Sequence, residues 1–263
     1  MAGRTLPRFT RVYVDGYDMS GYARTIGPLG WEFEPVDLTA QMGDEVKGYL
    51  PGHPTIGPGT LNVVFETDSD SSTAAHHVLG TQNDDRVVLV AIGDRAAPIA
   101  GNPAYMGEFL QLGYQAEVDG GAVVANVPFG PWEGSSLTAY GQPWGTLAHA
   151  LAASDSDGSD SDDFIDGGSS DATAFGGYMV WHVTAGNGTA TITMEHSTTT
   201  NDSDAAAIGG LTTGEINCDS TVQTGLAVTT VKTTSINQYT KWNISMNSAT
   251  TVTFALGFVR GRY

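Results

Sequence analysis

Apolar and polar residues alternate along most of this chain, and the longer spacing typical of helices is rare. The alternation is regular near the C-terminus, where Val252, Phe254, Leu256 and Phe258 are separated by small or hydroxyl residues. Such a period of two predicts strands with one buried face. The run RVVLVAI, from Arg86 to Ile92, is apolar on both faces and predicts a central strand buried on both sides. These patterns, with abundant Gly, Thr and Ser, predict an all-β fold.

Turn pairs between alternating segments predict three hairpins. Their turns are Asp15-Gly16, Asp119-Gly120-Gly121 and Asn187-Gly188. Gly, Asn and Asp tolerate the positive φ that tight hairpin turns require. The last turn is predicted to pair 178–183 with 189–194. The best helix candidate is the short segment from Ser72 to Leu79, which Gly80 would end.

The second hairpin, 105–118 with 122–129, has a clearly two-sided first arm. One side is apolar and is predicted to face the core: Leu110, Leu112, Tyr114, Ala116 and Val118. The other side carries Gln111, Gln115 and Glu117, a polar and net-negative set that is predicted to face water.

The segment from Asp37 to Phe65 is the most unusual stretch. Its first half reads as a loop of about twenty residues, which is long for a compact domain, with Pro and Gly from Pro51 to Gly59. That loop carries large apolar residues: Leu38, Met42, Val46, Tyr49 and Leu50. Their side chains are buried either on their own chain or on a neighbour. We expect the neighbour, and therefore contacts between subunits.

The net charge of −18 restricts the partners of the chain. So negative a surface repels DNA, RNA and anionic membranes. It suits either a protein hydrated in high salt or a channel that a polyanion crosses without sticking. No apolar run is long enough to span a membrane, and the first residues lack the apolar region of a secretory signal. We therefore expect no membrane insertion.

An Asp-, Ser- and Gly-rich stretch at 154–171 indicates a boundary or exposed loop. The predicted domains are 1–130, a connection at 131–171, and a second β-sandwich at 172–263. Within the stretch, Asp155, Asp157, Asp160 and Asp162 are either a solvated linker or a calcium site, although their spacing is not that of an EF-hand.

No catalytic or cofactor-binding motif occurs in the sequence, so we expect no enzymatic activity and no cofactor other than calcium. The single cysteine, Cys218, is predicted to be a buried thiol on a strand. One alternative function is carbohydrate binding, for which Trp132, Trp144, Trp181 and Tyr178 are available. Another is a capsid decoration or surface protein from a salt-loving source.

Several phrases resemble the major tail tube proteins of long-tailed, non-contractile viruses of bacteria and archaea. They are RVYVDGYDMSGYARTIGPLGWEF near the start, DLTAQMGDEVKGYLPGHPTI after it, PAYMGEFLQLGYQAEV, and TTVTFALGFVRG near the end. The resemblance covers most of residues 10–130, is weaker over 172–263, and does not include the Asp-rich stretch.

The resemblance implies a β-sandwich flanked by a helix, whose sheets join between subunits to close a ring around an inner β-barrel. Rings of six chains, or of three chains with two tube-type domains each, would stack into the tube that conducts the genome. The apolar loop would reach a neighbouring subunit, and Gln111, Gln115 and Glu117 would line the lumen. The other implied partners are tail proteins at the tube ends and DNA in transit. The protein would belong to the virion tail and assemble in the host cytoplasm.

Overall fold

A computed structural model describes residues 7–37, 49–66, 73–81, 85–119, 121–131, 142–158, 164–167, 175–219 and 222–261. These residues form antiparallel sheets with one short helix, which confirms the all-β prediction. No helix in these ranges is long and apolar enough to cross a membrane.

The first half contains ten strands and the helix. They are β1 (Thr10–Val14), β2 (Tyr17–Asp18), β3 (Ala23–Gly27), β4 (Gly30–Asp37), β5 (Tyr49–Gly57), β6 (Thr60–Val64), α1 (Ala75–Leu79), β7 (Arg86–Ile92), β8 (Pro103–Gln111), β9 (Gln115–Asp119) and β10 (Ala122–Pro131). Helix α1 is shorter than the predicted 72–79. Gly80 ends it as predicted, its N–H donating to the carbonyl of His76.

The second half adds nine strands. They are β11 (Trp144–Ser154), β12 (Ile165–Asp166), β13 (Gly177–Gly186), β14 (Thr189–Ser197), β15 (Ala206–Thr212), β16 (Ile216–Asn217), β17 (Gln223–Val228), β18 (Tyr239–Ser245) and β19 (Val252–Arg260). Short 3₁₀ turns occur at Pro7–Phe9 and Asp202–Asp204.

One large sheet runs through both halves in the order β1-β7-β8-β11-β19-β13-β17, with β2 beside β1. Strand β11 joins the halves, because Trp144 pairs with Tyr105 on β8 and Thr146 with Phe258 on β19. Strand β11 lies within the predicted connection at 131–171. It forms a strand because Leu147 and Ala148 are both buried, one in each of the two cores on opposite faces of the sheet.

Strand β7 is buried along almost its whole length, from Arg86 to Ala91, which confirms the prediction of a doubly buried strand. Strand β19 also has buried residues on both faces, although its alternating pattern predicted one buried face. Its Phe254 and Leu256 belong to one core, while Ala255 and Val259 belong to the other. The C-terminal strand is therefore an interior strand of the large sheet, between the two cores.

A second sheet, in the order β12-β18-β14-β15, covers one face of the large sheet. Ala190, Ile192 and Met194 point into the core between the two layers, as predicted. The predicted hairpin of β13 with β14 is wrong, since β13 pairs with β17 and β19 and β14 pairs with β15, β16 and β18. At the turn, the Asn187 side chain accepts from the backbone of Thr250, so the chain crosses between layers there.

Two histidines lie in the interior of the fold, where His182 is buried and His149 is partly buried. His182 accepts a hydrogen bond at Nδ1 from the backbone N–H of Gly16, and its ring lies 5.9 Å from that of Tyr13. His149 stacks on Phe254 at 4.1 Å. Burial lowers the pKa of His182 to about 3 and that of His149 to about 4.

These histidines make the fold sensitive to acid. Between pH 6.5 and 4 the unfolded chain binds protons that the native chain does not, so the free energy of unfolding falls as pH falls. From pH 7 to pH 5 each histidine is expected to cost about 2 kcal/mol. Urea unfolding at both pH values measures the loss. His149→Phe should remove about half of the histidine contribution, whereas the exposed control His77→Gln should leave it unchanged. An equal pH dependence in all three proteins would contradict this account.

Candidate assembly surface

The unusual connector is largely a β-hairpin rather than a loop. Strands β4 and β5 pair with each other as a separate two-stranded sheet, with Trp31 opposite Ile56 and Asp37 opposite Tyr49. The prediction of a loop from Asp37 to Gly59 is therefore corrected over 49–57. Pro51 and Pro54 suggested a loop, but proline is tolerated where a strand edge is unpaired, and each strand here has such an edge.

The base of the hairpin is fixed to the core. The carbonyl of Gly30 accepts from the hydroxyl of Tyr105 at 3.1 Å, and the N–H of Phe129 donates to the carbonyl of Gly59 at 2.9 Å. Ile56 is buried. Beyond this base, β4 and β5 have ladder hydrogen bonds only to each other among the described strands. The hairpin is thus an arm attached at one end.

The predicted contact residues concentrate at the far end of this arm. Tyr49 pairs with Asp37 and Leu50 with Val36, the two backbone positions farthest from the base. Leu38, Met42 and Val46 lie outside the described residues. Their contact with another subunit stays a prediction.

At β10, which pairs with β8, the large sheet continues into a four-stranded section in the order β9-β10-β6-β3, whose two edges are unpaired among the described strands. Strand β9 pairs only with β10, and β3 pairs only with β6, among the strands of the described chain. Its inner face contributes Leu61, Val63, Ala125 and Val127 to the core that also holds the helix. The other face is directed away from that core.

The outer face of this sheet carries a row of amide and hydroxyl side chains. Gln115, Asn126, Asn62 and Thr25 occupy matching register positions on the four successive strands. Asn62 Nδ2 donates to Thr25 Oγ1 at 2.6 Å, and Asn126 Nδ2 donates to Glu117 Oε1 at 2.7 Å. These two bonds link β6 to β3 and β10 to β9, so polar side chains on this face are held in place across neighbouring strands.

Gln115 and Glu117 are exposed on this face, as their alternation predicted, but Gln111 is not. Gln111 is only 5% exposed, and its amide binds Arg86 and the carbonyl of Leu79. The reason is a break at 112–114 between β8 and β9, which moves the pairing with β10 by one position, from Phe129 with Gln111 to Asn126 with Gln115. A one-residue slip exchanges the faces of a strand. Gln111 is therefore withdrawn as a lumen candidate.

The same break exposes residues predicted to be in the core. Leu112 is exposed, and Val118 is 78% exposed on the edge strand β9, opposite the partly exposed Val123 on β10. An apolar pair at an unpaired strand edge invites pairing with another chain.

Arg86 is the centre of a buried hydrogen-bond network. Arg86 donates to Asp15 Oδ2 at 2.5 Å, to Gln111 Oε1 at 2.8 Å, and to the carbonyls of Val78 and Thr81. Burial raises the pKa of Asp15, and the Arg86 guanidinium opposes that shift. The network ties helix α1 to β7 and β8. The sequence signal was the charged Arg86 directly before the apolar run.

The aromatic residues proposed for carbohydrate binding do not form a platform. Tyr178 and Trp181 are buried, and the partly buried Trp144 packs edge-on against Tyr105 at 5.2 Å. Trp132 lies outside the described residues. A glycan would therefore meet none of the three described rings as an exposed surface.

The calcium candidates are only partly described. Asp155 and Asp157 are exposed, and Asp157 Oδ1 accepts from the N–H of Met246 at 2.5 Å. Asp160 and Asp162 lie outside the described residues. Across the described ranges, no three His, Cys, Asp or Glu side chains cluster as a metal site would. Cys218 is buried as predicted, directly after β16 rather than on a strand.

Comparisons with known proteins give limited information. No protein-family model matches the chain, and no curated protein matches it. Among solved structures it is similar to SPP1 Dit (gp 19.1), described as a hub of the adsorption apparatus in phages that infect Gram-positive bacteria. The identity is 10% and the TM-score 0.34, over 95% of this chain and 99% of that one. At that TM-score the similarity carries no conclusion about function.

Proposed function

We propose that this protein is a structural subunit of a viral tail tube, which assembles into closed rings that stack around a channel for the genome. The resemblance of residues 10–130 to tail tube proteins suggests this role. The observation that carries it is the β9-β10-β6-β3 section of the large sheet, which combines a row of polar side chains on its outer face with two edges that are unpaired among the described strands.

In the proposed ring, the edge of β9 in one subunit pairs with the edge of β3 in the next. Each subunit then extends the sheet of its neighbour, and the sheets close into one barrel without edges. The exposed Val118 is covered by this contact. The side chains of Gln115, Glu117, Asn126, Asn62 and Thr25 face the lumen. Amide, hydroxyl and carboxylate groups offer DNA no positive charge to bind, so the genome passes without retention.

The β4–β5 arm has a separate role in this proposal. Its base is fixed by Tyr105 and Phe129, and its far end bears Tyr49 and Leu50, next in sequence to the segment 38–48 with its apolar Leu38, Met42 and Val46. It reaches a subunit of the same or the adjacent ring, and buries those apolar side chains there. Other tail proteins end the tube, and assembly takes place in the host cytoplasm.

Electron microscopy of the purified full chain tests the proposal. At high protein concentration and high salt, which screens the repulsion of so acidic a chain, we expect rings or filaments with a central channel. Monodisperse monomers under all such conditions would contradict it. Rings without a channel would support self-assembly but show that the assembled protein is not a conduit for the genome.

The charge of the lumen gives a further prediction. Tubes that carry Gln115→Lys and Glu117→Lys are expected to retain DNA fragments at low salt and release them as salt rises, because lysine–phosphate contacts release counterions. Wild-type tubes should not retain DNA. The control Asp94→Lys with Ala96→Lys makes the same change in net charge on an exposed loop. Equal retention by the control and lumen variants would place Gln115 and Glu117 outside the channel.

A further inference from the structure

Lys241 is a buried lysine on the outer face of the β18–β14 sheet. Its neighbours on β18, Trp242 and Ile244, belong to the core between the layers, so Lys241 is directed to the opposite face. It is nevertheless only 5% exposed. The ring of Phe164 lies 5.1 Å from its Nζ atom, and the 3₁₀ turn at Asp202–Asp204 lies beside it.

Two carboxylates flank this amine in different ways. Asp202 Oδ1 lies 2.5 Å from Lys241 Nζ, and Asp202 comes from the turn 39 residues earlier in the chain. Glu195 lies directly opposite Lys241 on β14, with its Oε2 atom 3.8 Å from Nζ. The other oxygen of Glu195 accepts from Asn243 Nδ2 at 2.8 Å, which fixes the orientation of the carboxylate.

We infer that Lys241 and Asp202 condense into an isopeptide bond, with Glu195 as the proton shuttle. Proton transfer within the ion pair gives a neutral amine and a carboxylic acid. Nζ attacks Cγ of Asp202, and Glu195 takes a proton from the nitrogen. Glu195 then returns it to the hydroxyl that leaves as water. A C–N bond forms, a C–O bond breaks, one water is released, and Glu195 is regenerated, so no oxidant, reductant or cofactor is needed.

The surroundings favour this reaction over a lasting ion pair. The sheet and the turn hold amine and carboxyl in contact, which removes the entropic cost of bringing them together. Keeping the charge of Lys241 at a buried position is costly, whereas the product amide is neutral. Its N–H remains within reach of the Glu195 carboxylate. The bond would fix the turn covalently to the centre of the sheet and close a loop from 202 to 241, which limits the unfolded chain as a disulfide does.

Intact mass spectrometry of the denatured full-length protein tests the inference. A covalent bond survives denaturation and an ion pair does not, so the wild-type mass should be lower than that of the sequence by one water. Protease digestion should then yield one branched peptide that joins the Lys241 and Asp202 segments. A measured mass equal to that of the sequence, with no water lost, would overturn the inference. Lys241 and Asp202 would then form an ordinary ion pair.

Three variants separate this bond from other losses of water. Lys241→Met and Asp202→Ala remove a reacting group, and Glu195→Gln keeps both reacting groups but removes the shuttle. All three should show the full mass of their sequences. Asp202 is half-exposed, so its replacement should leave the fold intact. A missing water that persists in Glu195→Gln or Asp202→Ala would overturn the assignment. The result does not depend on ring assembly, because it concerns the single chain.

Discussion

Arg86→Met is expected to reduce the free energy of unfolding by about 3–5 kcal/mol, since removing one member of a buried ion pair leaves the other charge uncompensated. In this protein the change would remove the positive charge that pairs with the carboxylate of Asp15. It would also remove the donor that binds three other acceptors, which are Gln111 Oε1 and the carbonyls of Val78 and Thr81. Methionine keeps most of the length of the side chain, so the loss reports on the network more than on packing. Urea unfolding at neutral pH measures it.

Arg95→Met is the matched control for this change. Arg95 is exposed, and among the described residues it forms one ion pair, with the neighbouring exposed Asp94 at 3.9 Å. Its replacement should alter the free energy of unfolding by less than about 0.5 kcal/mol. If the two methionine variants are equally stable, Arg86 does not hold helix α1 to the sheet as described. A large loss in Arg86→Met alone would support the network.

Val118→Lys is expected to abolish ring formation without weakening the monomer. Val118 is 78% exposed in the single chain, so a lysine there costs the fold at most about 0.5 kcal/mol. In the proposed ring, the same position lies at the joint between β9 and β3, and a charged residue on an edge strand opposes pairing with another chain. Sedimentation velocity compares the assembly of the variant with that of the wild type.

Val231→Lys provides the comparison, because Val231 is another exposed valine, in the turn that follows β17. This variant should assemble as the wild type does. Normal rings from Val118→Lys would show that β9 is not the joint. If both variants lose assembly while their monomers stay folded, added charge rather than position would be responsible.

The sequence correctly predicted those parts of the fold in which the pattern of a single strand is enough to indicate which of its residues are buried. The apolar run at 86–92 is buried on both faces, and Gln115 and Glu117 are exposed as predicted, but Ala116 and Val118, which were predicted to face the core, are exposed as well. Gln111 was assigned to the wrong face because the break at 112–114 changes the register by one residue. Only the pairing with β10 fixes that register, and pairing is a property of two segments.

The remaining differences are also tertiary. The pair Asn187-Gly188 is typical of a hairpin turn. Here, however, the Asn187 side chain accepts a hydrogen bond from the backbone of the distant Thr250, and the chain passes from one layer to the other at this point. The strand β5 reads as a loop, because its Pro and Gly residues are typical of turns and its pairing with β4 is not visible in its own sequence. The network of Arg86 joins residues 71 and 25 positions apart, so the charged residue at the start of the apolar run does not indicate which groups it binds.

A cryo-electron microscopy map of the assembled protein at side-chain detail tests the central proposal most directly. We predict that β9 of each subunit pairs with β3 of the next, with Gln115, Asn126 and Asn62 around an open channel. An assembly in which those two edges stay apart, or in which that polar row faces outward, would contradict the proposal.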